Sequence, residues 1–312
     1  DAGLLPAAGG GIRRVHNKMK IALRVDVDTY RGTRDGVPNL CRVLDKHGVR
    51  AAFFFSAGPD NMGRHIWRLL KPAFLWKMMR TRAASLYGMD ILLMGTMWPG
   101  PKIGKNLASV IRACAEAGHE IGVHAWDHHG WQAHVDQMSP EAIYEHIRKA
   151  YDELERITGK APTCSAVPGW KCVESTLVVK ERFHFKYNSD CRGSGIFIPV
   201  VEGKELTTPQ MPLNMPTYDE MLGKNGVTNE NYNERLLATV QEDSYNMLTI
   251  HAEAEGGACM KMFDEFLTMA KARGITFTAP GDLLPADTAS LPRASIVKGE
   301  IPGREGWLAL KG

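Results

Sequence analysis

Two aspartates lie two residues apart at the end of the first long apolar segment of the chain. Asp26 and Asp28 belong to the motif R-V-D-V-D-T. Residues i and i+2 of a β-strand point to the same side of a sheet, so the two carboxylates would share one site. The alternative is that one of them caps the next helix, and the pair alone does not decide between these roles.

Histidines cluster farther along the chain, in the segment G-V-H-A-W-D-H-H-G-W. Four of the 11 histidines fall between His124 and His134, and this clustering favours a function over a purely structural role. His124 and His128 are four residues apart, so one helical turn would bring both imidazoles to one metal ion. Asp127 or His129 could support such a site or provide an alternative ligand, and spacing does not choose between them.

Two further polar residues follow predicted buried strands. His251 stands in L-T-I-H-A-E and Asp190 in Y-N-S-D-C-R-G. Because the active sites of α/β barrels form at the C-terminal ends of the strands, both side chains should face the same site as the aspartates and histidines. His251 could instead be a histidine hydrogen-bonded to backbone. Asp190 could fix the tautomer of a neighbouring histidine and keep it protonated.

The elements that would position these residues alternate between short β-branched or aromatic runs and longer runs of helical period. This alternation predicts an α/β fold, a distorted (β/α) barrel with about seven parallel strands. The predicted strands are residues 20–27, 51–55, 119–123, 163–166, 185–188, 246–250 and 275–278. The predicted helices are residues 37–46, 103–117, 140–158, 174–181, 232–240 and 262–273. Ser139 followed by Pro140 is a strong signal for a helix start.

Composition favours one large domain. The chain has 312 residues, 44% hydrophobic and 23% charged, which supplies a large core. The predicted barrel spans residues 19–285, with a loose arm or tag remnant at residues 1–18 and a C-terminal extension at residues 286–312. The net charge of +3 is too small to indicate a nucleic-acid partner, so none is expected.

Cysteine usage and hydropathy bear on the cellular location. The six cysteines include no C-x-x-C pair and are expected to be free thiols in a reducing compartment. No segment has the 18 or more apolar residues of a spanning helix, and residues 1–18 lack the apolar core of a signal peptide.

Residues 60–100 break the alternating pattern, because they mix apolar and aromatic side chains with arginines and lysines. Such mixing is typical of an element at a membrane surface, with cations facing anionic lipid or a substrate phosphate. The alternative is a basic helical excursion packed on the barrel. The residues expected to bind membrane or substrate are Arg64, Trp67, Arg68, Leu70, Phe74 and Trp76. Residues 196–230, rich in turn formers, form a second candidate for a substrate-shaping loop.

The order of these motifs resembles that of the NodB-homology polysaccharide deacetylases, also called carbohydrate esterase family 4. The resemblance rests on D-V-D, H-x-x-x-H, a Pro-Gly turn, an aspartate after a strand and L-x-I-H, and it spans roughly residues 20–284. It implies a NodB-type barrel that hydrolyses an amide with one divalent metal ion, for which the ligand types allow Zn, Fe, Co or Mn. By resemblance, Asp28, His124 and His128 bind the metal, Asp26 is the base and His251 is the acid.

One position departs from the family pattern. The family has an Arg-x-Pro turn whose arginine supports the catalytic aspartate, whereas S-A-V-P-G-W has Ala166 in that place. Arg192 and Arg24 are candidate replacements, and each could equally be a surface or phosphate-contacting arginine. Asp190 and Arg192 are thus the residues expected to support the catalytic pair.

Longer strings resemble one branch of the family, the deformylases of the lipid A aminoarabinose pathway. The strings are R-V-D-V-D-T-Y-R-G-T-R-D-G-V-P, G-P-D-N-M-G-R-H-I-W-R-L-L-K-P-x-F-L-W-K-M, H-A-W-D-H-H-x-W-Q and Y-N-S-D-C-R-G. This resemblance implies hydrolysis of the formamide of undecaprenyl-phosphate 4-deoxy-4-formamido-L-arabinose, giving formate and the amino sugar, in a pathway linked to polymyxin resistance. It also implies a lipid-linked substrate and a peripheral enzyme on the cytoplasmic face of the bacterial inner membrane.

Two alternatives remain open at this point. The first is an N-deacetylase of another amino sugar or polysaccharide. The second is a catalytically silent protein that binds a lipid-linked sugar, which the missing arginine would suggest. The second alternative is disfavoured because Asp26 and His251 are both present, and a protein that only binds sugar needs neither a base nor an acid.

Overall fold

The computed structural model describes residues 19–63, 100–302, 304 and 306–312. The predicted arm at residues 1–18 and the six predicted membrane- or substrate-binding residues of the insertion lie outside these ranges. None of the helices within the described ranges combines the length and apolarity that crossing a bilayer requires.

The described residues contain twelve strands, and seven of them form one parallel sheet. In chain order the strands are β1 (Lys20–Val27), β2 (Ala52–Ser56), β3 (Glu120–Ala125), β4 (Cys164–Ser165), β5 (Tyr187–Asn188), β6 (Ile198–Val201), β7 (Lys204–Glu205), β8 (Met247–His251), β9 (Thr276–Thr278), β10 (Arg293–Ala294), β11 (Ile296–Gly299) and β12 (Leu308–Lys311). The order across the sheet is β5-β4-β3-β2-β1-β8, and β9 pairs with the first residues of β1. The predicted α/β class and all seven predicted sheet strands are confirmed.

Strand β1 lies in the middle of the sheet and is buried on both faces. Its odd-numbered residues Ile21, Leu23, Val25 and Val27 belong to the large apolar cluster that also includes the helices. Its even-numbered residues face the opposite side, where Ala22 packs with Phe54, Trp170 and Tyr187 in a second cluster. Because the side-chain period of a strand is two, Arg24 and Asp26 point to the same side as Ala22. The sheet thus places a charged pair inside the barrel.

The gap between the two ends of the sheet is closed by residues 210–215. On one side, the Met211 N–H donates to the carbonyl of Asn188 at 2.7 Å. On the other side, the Met215 N–H donates to the carbonyl of Met247 at 3.2 Å. This part of the predicted substrate-shaping loop therefore joins β5 to β8, because the backbone groups at both edges need partners.

Helices form at all six predicted positions, with the predicted helix 103–117 divided at Leu107, and two short helices that were not predicted begin at His128 and Tyr218. The helices are Val37–Lys46, Ile103–Asn106, Ala108–Glu116, His128–His134, Pro140–Thr158, Glu174–Lys180, Tyr218–Met221, Tyr232–Leu237 and Met260–Ala272. The Ser139 hydroxyl accepts a hydrogen bond from the Ala142 N–H at 3.2 Å, which confirms the predicted cap. Gly159 ends the same helix in the left-handed conformation, with φ of 71°, as a C-cap glycine does.

The residues after Pro285 pack back onto the barrel. Strand β10 pairs with β6, and β11 and β12 form an antiparallel pair. In β12, Ala309 is fully buried and its carbonyl accepts from the Arg192 N–H at 2.9 Å. All six cysteines of the chain are free.

Candidate metal centre and active site

Three side chains converge where β1 and β3 end. Asp28 Oδ1 lies 3.1 Å from His124 Nε2 and 3.3 Å from His128 Nε2. The three donor atoms lie within 4.8 Å of one another, and within the described part of the chain no other group of three His, Cys, Asp or Glu residues does so. Both histidines are buried and Asp28 is partly exposed, so the cluster opens toward the barrel mouth.

The two histidines come together by a different route from the one predicted. His124 lies in β3, whereas His128 is the first residue of the helix His128–His134. Their ring centroids are 5.2 Å apart because a strand-to-helix turn, and not one helical turn, connects them. Asp127 caps this helix by accepting from the Gly130 N–H at 2.9 Å. Its other oxygen accepts from Asn61 at 2.7 Å. Asp127 therefore supports the turn and is not an alternative metal ligand.

The tautomer of His124 is fixed by the backbone. His124 Nδ1 lies 2.8 Å from the carbonyl oxygen of Ala166. Because a carbonyl can only accept, Nδ1 carries a proton, and Nε2 is the ring nitrogen that faces Asp28. Nε2 is therefore the atom with which His124 could bind a metal ion.

An unsatisfied atom at this cluster fits a divalent metal ion. Asp28 Oδ1 is buried and has no hydrogen-bond partner, which is costly unless another group engages it. Burial raises the pKa of Asp28, but His128 and His124 outweigh it and bring that pKa well below its usual value. One carboxylate and two imidazoles form a three-ligand set that leaves positions open for water and substrate.

Asp26 is held by the other arginine candidate, Arg24. The guanidinium donates from Nε to Asp26 Oδ1 at 2.6 Å and from Nη2 to Oδ2 at 2.7 Å. Its remaining nitrogen donates to the Ser189 carbonyl at 2.6 Å. Burial raises the pKa of Asp26, but Arg24 and then His124 outweigh it, so the pKa lies below its ordinary value. Asp26 is therefore an ionised carboxylate whose Oδ2 lies 4.0 Å from His124 Nε2.

His251 lies directly beside Asp26 in the sheet. The β1–β8 register pairs these two residues, and the His251 N–H donates to Glu255 Oε2 at 2.8 Å. Burial lowers the pKa of His251, but Asp28 and Asp26 outweigh it and raise the pKa above the usual value. The site thus holds a carboxylate and a histidine that favours its protonated form.

Glu253 is a site residue that the motifs did not identify. Its Oε1 accepts from the Asp28 N–H at 3.1 Å, the Thr29 N–H at 2.9 Å and the Thr29 hydroxyl at 2.7 Å. Burial, followed by repulsion from Asp28, raises the pKa of Glu253 to about 7. The available signal was a pair of acidic residues in H-A-E-A-E directly after a buried strand.

Comparison with known proteins shows the family to which this chain belongs. A family model described as polysaccharide deacetylase matches residues 13–187. The chain belongs to the polysaccharide deacetylase family. It is 52% identical over 293 residues to "Probable 4-deoxy-4-formamido-L-arabinose-phosphoundecaprenol deformylase ArnD" of Shewanella sediminis, covering 94% of this chain and 95% of that protein. A protein of the same name from Wigglesworthia glossinidia brevipalpis is 42% identical over 280 residues, covering 89% and 97%.

The fold is also found in a crystal structure of a "putative polysaccharide deacetylase" from Mycobacterium smegmatis. The TM-score is 0.62 at 17% identity, and the match covers 96% of this chain and all of that chain. At this level of identity the likeness concerns the fold, which confirms the NodB-type barrel.

The position that departs from the polysaccharide deacetylase pattern is explained by Arg24. Ala166 stands where the family has an arginine, and Arg24 reaches Asp26 from two residues earlier on the same strand face. The expectation that Arg192 gives this support is wrong. Arg192 donates to Glu220 Oε1 at 3.2 Å and to the Met215 carbonyl at 3.1 Å, and its backbone pairs with Leu213 in the segment that closes the barrel.

The expectation that Asp190 supports a histidine in this polysaccharide deacetylase is also wrong. Asp190 is fully buried and accepts from Lys180 Nζ at 2.6 Å, from Gln210 at 2.9 Å and from the Val167 N–H at 3.0 Å. None of these partners is a histidine, and the bond to the Val167 N–H means that Asp190 holds the turn after β4 in place. The charges that raise the pKa of His251 belong to Asp28 and Asp26, followed by Glu255 and Asp219.

Arg24→Met is expected to lower the free energy of unfolding by about 3–5 kcal/mol, because it leaves the buried Asp26 carboxylate without its partner. Urea unfolding monitored by circular dichroism measures this loss. The matched control is the double variant Arg24→Met/Asp26→Asn, which removes the uncompensated charge and should recover part of the stability. Equal losses in the single and double variants would contradict the role of Arg24.

A second prediction concerns His146, which holds the turn between the metal-site histidines. His146 Nε2 accepts from the backbone N–H groups of Trp126 at 3.0 Å and Asp127 at 3.2 Å. Burial lowers the pKa of His146 to about 4, and Lys149 and His128 add to this against the opposing effect of Asp127. The neutral ring is therefore the form that the fold requires.

Stability should consequently fall as the pH drops. The folded pKa lies below the unfolded value near 6.5, so the contribution is complete above pH of about 6.5 and declines toward pH of about 4. Because the ring is partly exposed, we expect a loss of about 1–2 kcal/mol between pH of about 7.5 and 5. His146→Gln keeps an acceptor that does not titrate, so urea unfolding should show a shallower pH dependence in this variant. Identical slopes would contradict the assignment.

Proposed function

We propose that the protein hydrolyses the formamide of 4-deoxy-4-formamido-L-arabinose-phosphoundecaprenol, giving formate and the free amino sugar on its lipid carrier. The observation that carries this proposal is the 52% identity, over almost the whole chain, to a protein that bears this deformylase name. The site described above supports it, because it combines a possible metal site with a carboxylate and a histidine suited to proton transfer.

The metal ion would be held by Asp28 Oδ1, His124 Nε2 and His128 Nε2. A divalent ion bound there supplies Lewis acidity that activates both a carbonyl group and a water molecule. Carboxylate and imidazole ligands suit Zn, Co, Mn or Fe, so the ligand types leave the identity open.

The proton transfers are assigned to two side chains of the chain itself. Asp26, ionised and fixed by Arg24, takes a proton from water at Oδ2 as the oxygen attacks the formyl carbon. His251, which favours its protonated form, gives a proton to the sugar nitrogen as the C–N bond breaks. The water oxygen leaves in formate, and the nitrogen leaves as the amine. Because Arg24 holds Asp26 rigidly, the base needs little reorganisation during the reaction.

We further propose that the protein works as a peripheral protein on the cytoplasmic face of the inner membrane. A polyprenyl chain cannot leave a bilayer cheaply, because each CH₂ exposed to water costs on the order of 0.8 kcal/mol. The residues proposed to bind the membrane or the substrate phosphate are those of the basic and aromatic insertion, Arg64, Trp67, Arg68, Leu70, Phe74 and Trp76.

The described ends of this insertion support its proximity to the site. The Asp60 N–H donates to the Pro101 carbonyl at 3.0 Å, and Asn61 Oδ1 accepts from the Gly100 N–H at 3.3 Å. The Asp60 carboxylate accepts from the Tyr30 N–H at 2.8 Å, two residues beyond the proposed ligand Asp28. The two described ends of the insertion therefore lie next to each other, close to the proposed ligand Asp28.

Release of formate is the direct test of the reaction. The purified protein, loaded with Co²⁺ or Zn²⁺ and given the lipid-linked substrate, should release one formate per amine formed and should lose this activity with a chelator. A matched substrate with an acetyl group in place of formyl separates a deformylase from an N-deacetylase. Faster release of acetate than formate would favour the deacetylase, and absence of any hydrolysis with metal bound would favour a protein that only binds the sugar.

The quadruple replacement of Trp67, Leu70, Phe74 and Trp76 by serine or glutamine tests the membrane proposal. We expect loss of binding to anionic phospholipid vesicles and loss of turnover of the lipid-linked substrate, because the apolar contact with the bilayer is removed. Turnover of a short-chain, water-soluble analogue should remain. Parent-like vesicle binding and turnover of the full-length lipid would show that the insertion is not the membrane contact.

A further inference from the structure

Two buried glutamates lie directly after His251, in the segment H-A-E-A-E, and contact different halves of the site. Glu253 is 6% exposed and Glu255 is 3% exposed. Carboxylates are rarely buried to this extent unless their hydrogen bonds serve a purpose. Neither residue is needed for the proton transfers assigned above.

Glu253 bonds to the loop that carries Asp28. One carboxylate oxygen accepts three hydrogen bonds, from the N–H groups of Asp28 and Thr29 and from the Thr29 hydroxyl, at 2.7–3.1 Å. The Thr29 hydroxyl in turn accepts from the Gly32 N–H at 2.9 Å. The backbone that follows β1 is thereby tied to a residue that follows β8, across 225 positions of sequence.

Glu255 bonds to the other half of the site. Its Oε2 accepts from the backbone N–H of His251 at 2.8 Å. The neighbouring Ala252 N–H donates to the carbonyl of Asp26 at 2.9 Å. The end of β8 is thus fixed with respect to the proposed base Asp26. The segment that follows β8 turns back, so that Glu255 bonds to the backbone of His251.

The segment that follows β1 and the segment that follows β8 pack closely against each other. A Cβ atom on Gly32 would lie 1.9 Å from Glu253 Oε1. A Cβ atom on Gly36 would lie 2.0 Å from the Ala252 carbonyl oxygen, and one on Gly256 would lie 2.5 Å from the Gly36 carbonyl oxygen. At Gly36 and Gly256 the opposing atoms belong to the backbone, so a side chain would push the two segments apart. At Gly32 the opposing atom is the end of the Glu253 side chain, so a Cβ there would displace that carboxylate.

We infer that Glu253 and Glu255 are positioning residues that divide the site between them. Glu253 fixes the loop of the proposed metal ligand Asp28, and Glu255 fixes the backbone of the proposed acid His251. This inference rests on the proposed metal site and reaction, and it predicts that the two glutamates affect different measurable properties.

The test is to measure Co²⁺ affinity, by titration followed through the visible absorption of the bound ion, beside kcat for formate release. Glu253→Ala should weaken Co²⁺ binding about 10- to 100-fold and change the Co²⁺ spectrum, because residues that orient ligands typically have effects of this size. Glu255→Ala should leave Co²⁺ affinity unchanged and lower kcat about 100-fold, as expected when a reacting group moves by about 1 Å. Glu253→Gln and Glu255→Gln retain an acceptor oxygen and should restore most of each property.

The chain offers a matched control in Glu181. Its carboxylate also accepts from two successive backbone N–H groups and a threonine hydroxyl, at Thr207 and Thr208, but it does not contact the site residues. Glu181→Ala should therefore leave both Co²⁺ affinity and kcat unchanged.

Gly32→Ala provides a second route if Glu253→Ala does not fold. The added Cβ would displace the Glu253 carboxylate and should weaken Co²⁺ binding while Glu253 itself remains. In a Glu253→Ala background the same change should have little further effect. Failure of the parent protein to bind Co²⁺ would refute the proposed metal site, whereas parent-like Co²⁺ binding by both Glu253→Ala and Gly32→Ala would refute this inference alone.

Discussion

Asp26→Asn and His251→Ala are each expected to lower kcat by about 100- to 10,000-fold while the metal ion stays bound, since general bases and acids commonly contribute this much. Neither residue supplies a donor atom to the Asp28, His124 and His128 cluster. Asp26→Asn removes the proton acceptor but keeps an oxygen that can accept from Arg24. His251→Ala removes the proton donor at the end of β8.

Metal content and steady-state kinetics, measured on the same preparations, separate an effect on proton transfer from an effect on metal binding. If both residues act only in proton transfer, kcat and kcat/KM should fall together while metal content remains at the parent level. Near-normal turnover in His251→Ala would mean that another group protonates the amine, and Glu253, two residues farther along, is then the first residue to examine. Loss of metal in Asp26→Asn would mean that Asp26 is a ligand and not the base.

The barrel was predictable because its signals are local. Each strand of the sheet is a short apolar run followed by a turn, and the predicted ends lie within about two residues of the observed ones, as is usual for such boundaries. The exact prediction of the helix Pro140–Thr158 follows from a serine cap and a proline at its start and a glycine at its end. Residues 210–215 were not predicted to close the sheet. An irregular segment that bonds to the backbone of two edge strands has no hydrophobic periodicity from which it could be recognised.

The site was predictable where its residues form motifs and not where they act through tertiary contacts. His124 and His128 were paired from their spacing, and Asp28 was assigned as a ligand by the family resemblance. The turn that joins the two histidines was not predicted. Arg24 could have been preferred over Arg192 as the residue that supports Asp26. Arg24 and Asp26 are two residues apart on one strand, so their side chains lie on the same face. Glu253 and Glu255 bond to backbone N–H groups. Every residue type except proline has such a group, so a sequence motif cannot reveal these contacts.

Asp190 illustrates the opposite error. Its position at the C-terminal end of a strand suggested that Asp190 supports a catalytic histidine, yet a buried aspartate there can serve the fold equally well. Its pairing with Lys180 depends on how the helix Glu174–Lys180 packs against the helix Pro140–Thr158 and strand β6, and spacing along the chain cannot express such contacts. A position at a strand end therefore narrows the list of candidate catalytic residues. Only the hydrogen-bond partners distinguish a catalytic residue from one that stabilises the fold.

Asp28→Ala, His124→Ala and His128→Ala are each expected to lose bound metal and with it essentially all hydrolysis. The structural reason is that each variant leaves two of three donor atoms, an incomplete site for a divalent ion. The loss of affinity should exceed the roughly 10- to 100-fold typical of residues that only orient ligands. Elemental analysis after dialysis, with a Co²⁺ titration of each variant, measures it.

Folding should survive in all three variants, because the cluster lies at the mouth of the barrel, and among the described residues the only further partner the site loses is the Ala166 carbonyl in His124→Ala. Removing Asp28 relieves an unsatisfied buried oxygen, since Asp28 Oδ1 has no hydrogen-bond partner. His134→Ala is the matched control: His134 belongs to the same histidine cluster and ends the helix that His128 begins, but it is exposed and lies outside the donor set. It should keep parent levels of metal and activity. If the three ligand variants bound metal as the parent does, the ion would have to lie elsewhere, and the roles proposed for Asp26 and His251 would lose their geometric basis.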